Sequence, residues 1–226
     1  MTATTDITDT THSPIGIIGS GNIGGALARA LTTAGHRVVI ANSRGPASLT
    51  ALVDELGNLA TAGTVEQAAQ AGDLVIVTIP LKAVESIPSD LLTGRVVIDT
   101  NNYYPTRDGQ IAELDDETLT TAEYVARHFA GSTVVKAFNH IPAPEIVDHA
   151  QSAHTADRRA LTVHGDETAA VERVSALIDE IGFDALAAGS LAESWRIQRD
   201  TPGYGPRLTA AELREKLGQA KRYREQ

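Results

Sequence analysis

The chain of 226 residues contains no cysteine. That one absence removes a disulfide framework, a thiol nucleophile, a zinc–thiolate site and an iron–sulfur cluster. It also removes any argument for an oxidising compartment. Positive charge is scarce: 19 Lys and Arg stand against 29 Asp and Glu, for a formal net charge of −10. Such a chain lacks the clustered cations that a nucleic-acid backbone demands, so nucleic acid is not expected as a partner. No apolar run approaches the ~18 residues of a membrane helix, and no membrane partner is expected. The Thr-rich start, Met1 to Ser13, has neither the basic flank nor the apolar centre of a signal peptide. It is expected to be a disordered tail over 1–13 on a cytoplasmic protein. Metal-ligand spacing is missing too: His149 and His154 are five apart, not the i, i+4 that puts two ligands on one helical face. No metal site is expected.

What is present is an alternation of short apolar runs and helical stretches. Ile15-Gly16-Ile17-Ile18, Val38-Val39-Ile40, the weaker Leu59 to Ala62, Leu74 to Ile79, Val96-Val97-Ile98 and Thr133-Val134-Val135 have the pattern of buried strands. Helices are expected over Asn22–Ala34, Ser48–Leu56, Val65–Ala71 and about Leu119–Phe129, with a loop from Asp99 to about Asp116. Farther on, Ala160–Gly165 and Asp184–Ala187 suggest strands. Thr168–Ile181 and Thr209 to about Arg222 suggest helices, the last with Thr209 and Glu212 in a capping-box pattern. The alternation predicts an α/β fold, a doubly wound, mainly parallel Rossmann sheet with a short C-terminal strand–helix extension.

Gly19-Ser20-Gly21-Asn22-Ile23-Gly24 follows the first strand at once and opens the first helix. In that context a GxGxxG predicts dinucleotide binding. Gly19 permits a tight turn, Gly21 lets the backbone approach a pyrophosphate, and Gly24 lets the helix pack on the strand. The end of the second strand lacks the Asp or Glu that would hold the ribose hydroxyls of NAD; it has Ala41-Asn42-Ser43-Arg44, and the next carboxylate is Asp54. Arg44 can pair with a 2′-phosphate and Ser43 can donate to it, so NADP(H) is the expected cofactor. With no repeat and no Pro-, Gly- or Ser-rich linker, residues 14–226 are expected to form a single domain. Its nucleotide-binding part covers about 14–143 and a C-terminal extension about 144–226.

The glycine loop with Leu27-Ala28 and Gly35-His36-Arg37-Val38, Asn42-Ser43-Arg44, Val77-Thr78-Ile79-Pro80, and Val134-Val135-Lys136-Ala137-Phe138-Asn139-His140-Ile141-Pro142-Ala143 together resemble the family of F420-dependent NADP reductases. The resemblance runs from about Ile15 to Ala143, with weaker support from Leu161 to Leu191. It implies that Ser20, Gly21, Asn22 and Ile23 touch the pyrophosphate and that Ser43 and Arg44, with Ser48 nearby, hold the 2′-phosphate. Some members have a Lys where this chain has Ser48. It further implies that Thr78, Ile79, Pro80, Leu81 and Val84 line the path to the nicotinamide and that Ala143 lies near the carboxamide. The implied co-substrate is the deazaflavin coenzyme F420, and the implied assembly a homodimer.

In that reaction two planar rings meet with donor and acceptor carbons roughly 3–3.5 Å apart, and the protein's task is orientation. The chain has no Tyr followed four positions later by Lys, so the Ser-Lys-Tyr arrangement of short-chain dehydrogenases is absent. Either Asn139 or His140 is the polar candidate beside the rings, His140 being equally readable as a packing residue. Asn101 is a candidate for the nicotinamide amide or the acceptor, or simply part of a hydrogen-bonded turn. The segment from Trp195 to Tyr204 is expected to wall an acceptor pocket or fill a dimer interface, a buried core Trp being the alternative. Two other functions remain open. One is an NADPH-dependent reductase of another small-molecule acceptor, an imine, carbonyl, flavin or quinone; the other is a non-catalytic NADP(H)-binding sensor.

Overall fold

The computed structural model describes residues 13–225, so all but the last residue of the expected tail lies outside the described residues. Eight strands form one sheet: β1 Ile15–Ile18, β2 Val38–Ala41, β3 Ala60–Gly63, β4 Leu74–Val77, β5 Val96–Asp99, β6 Thr133–Lys136, β7 Ala160–Gly165 and β8 Asp184–Ala187. The helices are α1 Asn22–Thr33, α2 Thr50–Leu56, α3 Val65–Ala69, α4 Pro105–Asp108, α5 Ala112–Asp115, α6 Thr121–His128, α7 Glu145–Asp148, α8 Thr168–Glu180 and α9 Ala210–Gln219. The strand order is β3-β2-β1-β4-β5-β6-β7-β8. Every pairing is parallel except β6 with β7.

The period of two along each strand divides the core. Ile15 and Ile17, Leu74 and Ile76, Ile98 and Val135 join one apolar cluster with Leu27 and Leu31 of α1 and Val174 and Ile178 of α8. Ile18, Val75, Val77, Val97 and Val134 join the other, with Ala68 and Ala69 of α3 and Ala122 and Val125 of α6. Both faces are therefore covered, as all-apolar strands require. Gly16 interrupts β1 because α3 crosses there: a Cβ at this position would sit 2.0 Å from the Ala68 carbonyl oxygen. Leu213 and Leu217 of α9 close a smaller cluster with Leu186 of β8 and Ile197.

The departures from expectation have local causes. The fourth strand stops at Val77, short of Ile79, because Thr78 turns under the glycine loop. Its N–H donates to Ile18 O at 2.9 Å and its Oγ1 to Gly19 O at 2.7 Å. The loop expected after Asp99 contains α4 and α5. Pro105 presets φ in the first turn of α4, and the Asp108 carboxylate accepts from the Tyr104 N–H at 2.9 Å. The Ser48–Leu56 helix starts as a 3₁₀ turn over Pro46–Leu49 before α2. The capping box at Thr209 is formed, but α9 ends at Gln219, before Arg222.

Candidate active site

The order of β3-β2-β1-β4-β5-β6 reverses between β1 and β4, and a crevice at such a switch point is where open parallel sheets bind ligands. The glycine turn lies there. Gly19 has φ +115°, and a Cβ on it would lie 2.6 Å from Thr78 Oγ1. A Cβ on Gly24 would lie 1.9 Å from Gly19 O. Around Gly21 nothing lies within 4 Å of that position. Two of the glycines thus serve close packing, whereas the third faces open space. Gly21 is the N-cap of α1 and no side chain caps that end, so the N-terminal peptide groups and the positive end of the helix dipole face the opening.

The opening is a cleft of about 750 Å³ bounded by Ser20, Gly21, Asn22, Arg44, Ser48, Leu52 and Ala143. Asn42 organises its wall. Asn42 Nδ2 donates to Ser20 Oγ at 2.9 Å and to Ser48 Oγ at 3.0 Å, and its Oδ1 accepts from the Arg44 N–H at 2.9 Å. One amide thereby ties the glycine loop to the strand end that presents Arg44. Ser43, expected on the 2′-phosphate, is exposed but does not line this cleft. Arg29, also on its wall, is neutralised by Glu55, with Nε donating to Oε1 at 2.5 Å and Nη2 to Oε2 at 2.7 Å.

A second cleft of about 280 Å³ continues the first, sharing Asn22 and Ala143 with it. Ile23, Thr78, Ile79, Asn101, Asn102, Tyr104, Asn139 and Tyr204 line it. Beneath it a buried ion pair fixes the loop after β5. Lys136 Nζ donates to Asp99 Oδ2 at 2.8 Å and to the Asn101 carbonyl; Asp99 Oδ1 accepts from Asn101 N–H and Nδ2, both at 2.8 Å. Burial lowers the Lys136 ammonium from its usual range, and Asp99 opposes that shift. Asn139 Nδ2 donates to Ile197 O at 3.0 Å and Asn102 Oδ1 at 3.2 Å, whereas its buried Oδ1 has no partner.

Several expected site residues are not brought to the trough. His140 is 2% exposed and its Nε2 accepts from the Thr162 N–H at 3.1 Å. The ring is therefore neutral with its proton on Nδ1. Burial pushes it down to about 3, with the Arg159 charge and His164 adding to the shift. Of the pair Asn139 and His140, only Asn139 lines the cleft. Leu81 and Val84 belong to the core under the sheet, because the 3₁₀ segment Leu81–Ser86 turns them inward. Exposed Pro80 lines neither cleft. Trp195 is buried between two cations, Arg196 at 4.4 Å and Arg222 at 4.7 Å from its ring centre; Tyr204 alone of that segment's aromatics reaches the second cleft. Sequence reasoning passed over Asn42, Asn102 and Tyr104 as site residues. All three stand in strand-end loops, but nothing in a sequence says which side chain of a loop turns into the site.

Among the described residues no group of three or more His, Cys, Asp or Glu is gathered as a metal ion would need, and no helix is long and apolar enough to cross a membrane. Strand order, glycine turn and switch-point trough define a dinucleotide-binding protein of the Rossmann class. The family described as NADP oxidoreductase, coenzyme F420-dependent, matches residues 14–103. A solved structure of the hypothetical protein SMa0349 from Sinorhizobium meliloti is 34% identical. It superposes with a TM-score of 0.73 over 88% of this chain and 94% of that one. The chain belongs to this family of NADP oxidoreductases. A candidate F420-dependent NADP-reductase from Arthrobacter sp. FB24 shares the fold, at 24% identity and a TM-score of 0.68 over 81% of this chain and 87% of that one. The rat metalloreductase STEAP3 is 30% identical over 186 residues, 81% of this chain and 35% of that protein. The chain spans between 35% and 45% of the length of these curated relatives, the other being protein YjhV of Escherichia coli.

Proposed function

We propose that the chain is a cytoplasmic reductase that moves a hydride between NADP(H) and coenzyme F420, its residues 14–226 acting as one NADP-binding unit. The observation that carries this reading is the continuous trough, with a cation at one end and amide and hydroxyl groups at the other. NADPH, when bound, supplies the hydride. Gly21 and the uncapped start of α1 leave room and N–H groups for a pyrophosphate, with Gly19, Ser20, Asn22 and Ile23 around it. Arg44, Ser43 and Ser48 take the 2′-phosphate, held in register by Asn42. Thr78, Ile79 and Ala143 form the wall past which the nicotinamide lies, with Asn101 and Asn139 lining the cleft beside it. No general base is needed to orient two stacked rings.

The absorbance of F420 with purified protein and NADPH tests this directly: loss of the deazaflavin's visible band is expected. The second reading, reduction of an imine, carbonyl, flavin or quinone, draws on the Tyr104 and Tyr204 hydroxyls in the second cleft, because these acceptors, like the deazaflavin, take up a proton along with the hydride. Turnover of these and not of F420 would select it. Tight NADPH binding with no turnover of any acceptor would select the sensor. The same preparation, sedimented at micromolar concentration, is expected to run as a homodimer.

A further inference from the structure

The dinucleotide leaves two hydroxyls of the second cleft without a task. Tyr104 comes from the loop after β5 and Tyr204 from the segment between Ile197 and α9. Their oxygens are 2.9 Å apart, and Asn102 Nδ2 donates to Tyr204 Oη at 3.3 Å. A phenol has one donor and can accept more than one hydrogen bond. Either hydroxyl can donate to the other; in the arrangement in which Tyr104 and Asn102 both donate to it, Tyr204 Oη keeps its own hydrogen for whatever lies in the cleft.

Both rings are held firmly. The Gly205 N–H donates to His140 O at 3.2 Å, and fully buried Arg159 donates from Nη2 to Gly205 O at 3.0 Å. The same guanidinium pairs with Glu145 of α7, just beyond Ala143. The Tyr104 ring lies under two guanidinium groups, Arg107 at 4.7 Å and Arg199 at 5.2 Å. A hydroxyl pair clamped this closely at the end of the trough is suited to a defined proton transfer.

We propose that Tyr204 is the proton donor to the acceptor and Tyr104 the relay behind it. This rests on the hydride-transfer reading. The acceptor is a planar conjugated imine or carbonyl compound. Its carbon gains the hydride, NADPH becoming NADP⁺, and its nitrogen or oxygen gains a proton. Tyr204 Oη gives up that proton as the new N–H or O–H bond forms. Tyr104 Oη returns a proton to the Tyr204 phenolate, and solvent restores Tyr104. Burial above all raises the Tyr204 hydroxyl above the usual phenol range. It therefore stays protonated through neutral pH, and its phenolate recaptures a proton readily.

Tyr204→Phe and Tyr104→Phe keep the rings and remove the hydroxyls. Tyr124→Phe is the control, since its hydroxyl donates to Glu85 at 2.6 Å outside both clefts. Three quantities are measured: the NADPH Kd; the Kd of F420 or phenanthrenequinone for NADP⁺-loaded protein; and the single-turnover rate with each acceptor in H₂O and D₂O. Tyr204→Phe is expected to slow hydride transfer by about 100-fold or more and to abolish the solvent isotope effect. It should weaken acceptor binding by about 5- to 30-fold and leave the NADPH Kd unchanged. Tyr104→Phe should slow turnover by roughly 10-fold, and Tyr124→Phe should change nothing. A Tyr204→Phe protein with full rate and unchanged acceptor Kd overturns the proton-donor role and leaves the reductase reading standing. A wild-type protein that reduces neither acceptor overturns both.

Discussion

Arg44 has no ion-pair partner within its own strand end, and the Asn42 amide holds its backbone rather than its guanidinium. A side chain so presented is free to meet an anion. Arg44→Ala is expected to weaken NADPH binding by about 1.5–3 kcal/mol, roughly 10- to 150-fold, the scale of a charge-assisted hydrogen bond. NADH binding should be unaffected, and parallel fluorescence titrations compare the two. Asn42→Ala is expected to have a smaller effect in the same direction, because it loosens Ser20, Ser48 and Arg44 together without removing the charge. His140 shows why a residue type alone misleads. Its position at a strand end suggested chemistry, yet its imidazole spends its acceptor on the Thr162 amide. Only the conformation at Phe138, φ +59°, and the turn that follows decide which way each of Asn139 and His140 points.

The glycine turn separates packing from binding within one short element. Gly24→Ala brings a methyl against Gly19 O, a backbone atom that cannot yield, and is expected to destabilise the fold by about 1–3 kcal/mol in urea unfolding. Gly21→Val meets nothing within 4 Å of its Cβ, so its unfolding midpoint should be close to wild type. Its side chain would instead fill the cleft mouth, and NADPH binding should be lost. This contrast in one hexapeptide is legible from the motif, because its spacing encodes distinct steric duties. The segment Leu81–Ser86 is the opposite case. The match of Leu81 and Val84 to a family path placed them beside the nicotinamide, but a 3₁₀ turn with apolar residues three apart buries both. Helical phase in so short an element depends on where it starts, which composition does not specify.

Across the whole molecule two buried histidines couple stability to pH. Burial pushes His140 down to about 3 and His164 to about 4, the latter with help from the Lys136 charge. Both folded-state values lie below the ordinary ~6.5, so the unfolded chain binds protons first as pH falls. The stabilisation is fully present above about pH 6.5 and is lost progressively on acidification towards pH 3–4, by up to about 1.4 kcal/mol per pH unit for each ring. The thermal midpoint should therefore fall between pH 7 and pH 4, and His164→Gln should flatten part of that slope in melting curves. At this scale the fold was largely predictable. Alternating all-apolar strands and amphipathic helices demand a sheet covered on both faces, whatever the details of its loops.

The linear pattern of residues was enough to specify the mainly parallel sense of the sheet, the glycine turn and the missing carboxylate at the end of β2, because each follows from local patterning, short-range sterics and charge. The acceptor end of the trough was decided only in three dimensions. Tyr104 and Tyr204 are separated by 100 positions and meet at 2.9 Å. Lys136 and Asp99 pair from neighbouring strands to hold Asn101. Arg159, immediately before β7, secures the segment bearing Tyr204. Such contacts depend on where the antiparallel return at β7 delivers the C-terminal segment, and no periodicity within a segment carries information about a partner so far along the chain.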